Sequence, residues 1–299
     1  MQDIIQTINP GDIPTVAALY FFLGTLMITG LIFDVVLLVR FRHKPLKSPD
    51  LIAKLQSRPW TWNEGGFLLL TLVFLHGCLL LSVKAEHHFY LIKESEIPFV
   101  SLFLQTVLFH GAGLIVIVSL MRSQKMSWQR AFGLNPRDFL KNIRQGVVFY
   151  IAVIPIIAFC SLVYMKLLEH LHYPIDGQDI IQLLADPQQP AWLHVYLGVL
   201  AIVVAPLIEE LIFRGIALTI LVKHLKLMPS VYLVSLVFAA MHFHPASIMA
   251  LFILAVAFSL AYLYSGSIAV PMVMHTLFNA TSLIAVLLIR NTPGFTICQ

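Results

Sequence analysis

Eight long apolar runs, at residues 14–39, 65–83, 97–121, 146–168, 192–222, 229–244, 246–264 and 267–289, dominate the chain. At about 1.5 Å of rise per residue, most are long enough to cross a hydrocarbon core of roughly 30 Å as helices. A backbone inside lipid finds no water, so a spanning segment is either a helix or a strand of a closed barrel. Barrel strands would alternate over about ten residues, whereas these runs are continuous. The expected fold class is all-α, a polytopic transmembrane helical bundle of about eight spans. Only 11% of the 299 residues are charged, against roughly 25% in ordinary soluble domains. Membrane lipid is the first expected partner. The net charge of +4 does not mark a nucleic-acid binder, because the basic residues fall between apolar runs and form no stripe.

Those basic residues are better read as topology. Arg40, Arg42, Lys44, Lys47, Lys54 and Arg58 lie between the first two runs, and Arg122, Lys125, Arg130, Arg137, Lys141 and Arg144 between the third and fourth. Both loops are expected in the cytoplasm. The N-terminus carries Asp3 and Asp12 without Lys or Arg, and residues 169–190 carry four acids without either. They are expected outside, which gives an integral protein of the plasma membrane with both termini outside. No basic stretch precedes the first run, so it is expected to be a retained span and not a cleaved signal peptide. The stretch "SWQRAFGLNPRDFLKNIRQG" mixes aromatic and basic residues as an interfacial helix would, but Pro136 interrupts it, and an ordinary loop is the alternative.

The fifth run contains "IVVAPLIEELIFRG", residues 202–215, in which Glu209, Glu210 and Arg214 interrupt an apolar helix. On an insertion scale each charge at a helix centre costs roughly 2.5 to 3.5 kcal/mol, so the three need compensation. Glu210 and Arg214 stand four residues apart, about 40° around a helix, in the favourable order for an ion pair. Glu209 is turned about 100° from Glu210 and has no partner within its own helix. Pairing with a histidine from another helix is the plain structural explanation for it. Further polar groups strengthen a functional one: His242 at the end of the sixth run, and His275 and Asn279, which share a face of the eighth. Counted along the helices, Glu209, His242 and His275 all fall at membrane depth, so one polar cluster is geometrically possible. Pro206 and Pro271 lie one turn before Glu209 and His275, where they remove backbone bonds beside that cluster.

The ordered set Glu209-Glu210-x-x-x-Arg214, Phe238-x-x-x-His242 and His275-x-x-x-Asn279, with the flanking "AYLYSGSIAVPMVMH", resembles the CPBP family. These intramembrane proteases include the type II CAAX prenyl endopeptidase and bacteriocin-processing, Abi-like proteins. The resemblance covers about residues 140–285. It implies a protease core at 141–289 behind an N-terminal extension, residues 1–140, of about three spans plus the interfacial segment. It also implies hydrolysis of a peptide bond by Glu/His-activated water, without a covalent intermediate, in a membrane-associated or lipidated peptide or protein. Glu209 and His242 would activate the water, His275 and Asn279 would stabilise the oxyanion, and Glu210 and Arg214 would support the site's shape.

Glu209, His242 and His275 would also be the right residue types for a three-ligand zinc site. The resemblance favours chemistry without metal or cofactor, and no HExxH is present. The family's glycines are replaced here by Ala257 and Ala261, which bears on helix packing. Asp34, His76 and His110 are read as packing or interfacial groups. Two other functions remain as alternatives: a non-catalytic scaffold of the bacteriocin-immunity kind, and a solute carrier. A carrier would show polar groups in paired broken helices, and here they have no counterpart in the first half.

Overall fold

The computed structural model describes residues 13–43, 49–89, 103–104, 106–173, 184 and 188–290. Asp3, Asp12, Lys44, Lys47, most of the acidic segment and both chain ends, on which the expected orientation leans, lie outside the described residues. Among the described residues the long elements are all helices: α1 Ile13–His43, α2 Pro49–Gln56, α3 Trp62–Phe89, α4 Thr106–Ser123, α5 Trp128–Phe132, α6 Phe139–His170, α7 Ala191–His224, α8 Leu227–Ala240, α9 Ile248–Ser265 and α10 Ala269–Arg290. Six segments are long and apolar enough to cross a membrane: Tyr20–Arg40, Thr106–Ser123, Pro136–His170, Ala191–His224, Pro245–Ser265 and Ala269–Leu288. Leu227–Ala240 is a shorter apolar helix, and Trp62–Leu75 is the apolar start of the 28-residue α3. The protein is an all-α membrane bundle in which the eight apolar runs recur in helices, the sixth of them too short to span. The sixth run falls short because the chain leaves the helix at Met241 and His242, ahead of Pro245. Its 14 residues cover about 21 Å, less than a bilayer core.

α6 lies against α1, α9 and α10, and α8 against α9. α1 is mostly exposed and closes on α6 at Gly30, where a Cβ would lie 2.6 Å from the Ile151 carbonyl oxygen. Only a residue without a side chain admits that approach.

At one end of the bundle the basic loop has a second use beyond topology. The last carbonyls of a helix lack intrahelical donors, and residues 54–60 supply them for three helices. Arg58, buried, donates from Nη1 to the carbonyls of Gln129 and Arg130 at the end of α5 and from Nη2 to Gly266 after α9. Trp60 Nε1 donates to Ala131, Gln56 Nε2 to Val222, and Lys54 Nζ to Ser265. Cations also suit helix C-termini electrostatically. α5 ends in Gly133 at φ 76, and a Cβ there would fall 1.9 Å from the Gly266 oxygen. The segment expected to be an interfacial helix or a loop is thus divided: Ala131 and Phe132 enter the core, while Trp128, Phe139 and Leu140 stay exposed.

Arg58→Ala takes the guanidinium from the Arg130 and Gly266 carbonyls and leaves the Gln129 carbonyl to Gly133 N–H alone, an expected loss on the order of 3 kcal/mol. The thermal midpoint in detergent should fall clearly, and Arg58→Lys should recover only part of it, because an ammonium lacks the guanidinium fork. An unchanged midpoint for Arg58→Ala would remove this account of the loop.

Candidate active site

α7 carries the two glutamates and is not a regular helix. It is π-helical at Leu200–Val204 and again at Leu211–Leu218, with an α-helical segment, Ala205–Glu210, between them. Ala205 N–H donates five residues back, to Leu200. The next donor in that register would be Pro206, which has none. Two side chains of α10 serve the carbonyls left over: Asn279 Nδ2 donates to Ala201 at 2.7 Å and Thr276 Oγ1 to Ile202 at 2.9 Å. α10 is thereby fastened to the irregular turn just ahead of Glu209.

Glu210 and Arg214 form a fully buried ion pair, Nη1 to Oε1 2.8 Å. Arg214 Nη2 donates to the Ala255 carbonyl of α9 at 3.1 Å, and the guanidinium carbon lies 4.5 Å from the Phe238 ring centroid and 5.1 Å from that of Phe258. Desolvating this cation is offset by a carboxylate, a carbonyl and two aromatic faces. His275 Nδ1 lies 3.0 Å from Glu210 Oε1. An ionised carboxylate only accepts, so Nδ1 carries the proton and Nε2 is left to face the other glutamate. That nitrogen is 4.0 Å from Glu209 Oε2. The two glutamates differ sharply in surroundings: Glu210 is closed off between Arg214 and His275, whereas the Glu209 side chain remains 16% exposed.

His242 follows α8 in a turn, with Phe243 at φ 48 beside it. Its Nδ1 lies 2.8 Å from the Phe238 carbonyl, which fixes the proton on Nδ1 and leaves Nε2 as an acceptor in the neutral ring. The Phe238 ring stands between the histidines, 4.9 Å from His242 and 5.8 Å from His275 by centroids. Among the described residues no three His, Cys, Asp or Glu side chains converge as metal ligands.

Glu210, Arg214 and His275 thus meet directly, Glu209 stands 4.0 Å from His275, His242 joins through Phe238, and Asn279 is engaged at the Ala201 carbonyl one turn along α10. His110, a packing or interfacial group by its sequence alone, has its Nε2 3.9 Å from Glu209 Oε1. No motif marks it; the single available signal was a histidine at membrane depth. The described side chains do not include that of His76. Asp34, half-buried on α1, has no part in the cluster.

Residues 190–281 match the family described as Type II CAAX prenyl endopeptidase Rce1-like. The matched segment contains Glu209, Glu210, Arg214, His242, His275 and Asn279 and leaves residues 1–189 outside. It supports a CPBP family intramembrane protease. No curated protein and no solved structure matches the chain.

Proposed function

With residues 190–281 taken as an Rce1-like endopeptidase domain, we propose that the protein hydrolyses a peptide bond of a membrane-associated or lipidated peptide or protein, using water activated by Glu209 and His242. The observation that carries this reading is the contrast between adjacent glutamates. Glu210 holds both Arg214 and His275 through Oε1, while the Glu209 side chain remains 16% exposed and faces an imidazole across 4.0 Å with no direct hydrogen bond. That separation is too long for a direct hydrogen bond and fits a contact through water.

The chemistry follows from the donors. Glu209 takes a proton from water, with the free Nε2 of His242 sharing the task, and the resulting hydroxide attacks the carbonyl carbon. The oxyanion is held by His275 and by the second N–H of the Asn279 amide. As the C–N bond breaks, the leaving amine takes the proton back. One water is consumed, and a carboxyl and an amine are produced.

Reconstitution in liposomes tests this directly. The probes are a farnesylated peptide ending in a CAAX tail and a set of acylated, lipid-anchored peptides. Shorter products detected by mass spectrometry are expected. Accumulation of a solute inside the vesicles with no product would favour a carrier, and neither outcome a scaffold; each would overturn the proposal.

A further inference from the structure

We propose that His110 is a positioning residue for the Glu209 carboxylate, so that α4, outside the segment matching the protease family, completes the site; the inference rests on the endopeptidase reading above. The two oxygens of Glu209 face different imidazoles. His275 Nε2 lies 4.0 Å from Oε2 on one side, and His110 Nε2 lies 3.9 Å from Oε1 on the other. The His110 side chain is 12% exposed, and neither ring nitrogen has a direct hydrogen-bond partner. A buried imidazole without a bond is costly. The Glu209 carboxylate lies within its reach at 3.9 Å.

The approach is built into the backbone. His110 sits on a π-helical turn, Thr106–Gly111, that opens α4. The hydroxyl of Tyr196, on α7, donates to Thr106 Oγ1 at 2.8 Å and ties this turn to the helix bearing Glu209. One turn of helix further on, at Gly113, the helices touch: a Cβ there would lie 3.6 Å from Ile208 Cγ2, next to Glu209. Phe109 holds the imidazole edge-on, with centroids 5.2 Å apart.

What His110 supplies is balance. His275 approaches Oε2 and His110 approaches Oε1. Without His110 the carboxylate is free to turn toward His275 and away from a water held for attack. Displacement of a catalytic group by an ångström can cost about 10²-fold in rate.

The test compares His110→Phe, His110→Gln and His110→Asn. The glutamine amide nitrogen falls near Nε2, the asparagine one near Nδ1, and phenylalanine keeps the ring volume. In liposomes with the farnesylated CAAX peptide and the acylated peptides as probes, kcat should fall about 10- to 100-fold for His110→Phe. KM should stay within about twofold. His110→Gln should recover most of the rate and His110→Asn little. A purely structural histidine predicts the opposite order, with phenylalanine best. That order, or wild-type rates in all three, would overturn the inference while leaving the endopeptidase reading intact. If instead Glu209→Gln cleaves as well as wild type, or no peptide is cleaved, the endopeptidase reading fails, and the inferred role in catalysis fails with it. The pairing is then judged by infrared spectroscopy. The carboxylate stretch of Glu209, taken as the difference from Glu209→Gln, should shift in His110→Phe and return in His110→Gln; an unmoved band would overturn the pairing too.

Discussion

Glu209→Gln is expected to lower kcat for peptide cleavage by about 10²- to 10⁴-fold, the usual worth of a general base, and to leave the bundle folded. The amide keeps the size of the carboxylate and cannot take a proton from water. Folding should be indifferent, because Glu209 Oε2 has no direct hydrogen-bond partner to lose and the neutral group is easier to bury. KM should change little, since the carboxylate acts on water and not on the peptide. Steady-state kinetics in liposomes, with the thermal midpoint measured in parallel, separate the two effects. Retained kcat would show that the reactive carboxylate lies elsewhere.

Arg214→Met should have the largest effect on stability. Glu210 and Arg214 are both fully buried, 2.8 Å apart, and removing one partner of such a pair leaves an uncompensated charge worth about 3–5 kcal/mol. The double variant Glu210→Leu with Arg214→Met removes both charges together, and its midpoint should lie above that of Arg214→Met alone. Activity should not return with stability, because His275 Nδ1 donates to Glu210 and loses its acceptor in the double variant. An additive stability loss in the double variant would contradict the coupling.

Much of the bundle was legible because lipid imposes one rule on every spanning backbone. The run at 192–222 became α7, Ala191–His224, and that at 246–264 became α9, Ile248–Ser265, since long apolar runs leave few other solutions even where Glu209, Glu210 and Arg214 interrupt one. The Glu210–Arg214 contact was legible from helical spacing alone. What escaped was tertiary. Pro206 signalled a lost backbone bond, but not the π register at Leu200–Val204 or the use of Asn279 and Thr276 to mend it. Lys54 and Arg58 looked like topology signals, since their carbonyl acceptors lie up to about 210 residues away in the chain. His110 carried no motif, and its neighbour Glu209 is reached only once α4 packs on α7. α6 begins seven residues ahead of the run at 146–168, because its first turns are amphipathic: Asn142 is buried against Ser267 while Phe139 and Lys141 face outward.

The central claim is that water, oriented beside Glu209, attacks the peptide carbonyl directly. It is tested by a single turnover in water enriched in oxygen-18, with enzyme in excess over a cleaved peptide. The account predicts one labelled oxygen in the new C-terminal carboxyl and none in the enzyme fragment containing Glu209. An unlabelled product with the label found at Glu209 would reveal an acyl-enzyme and contradict it.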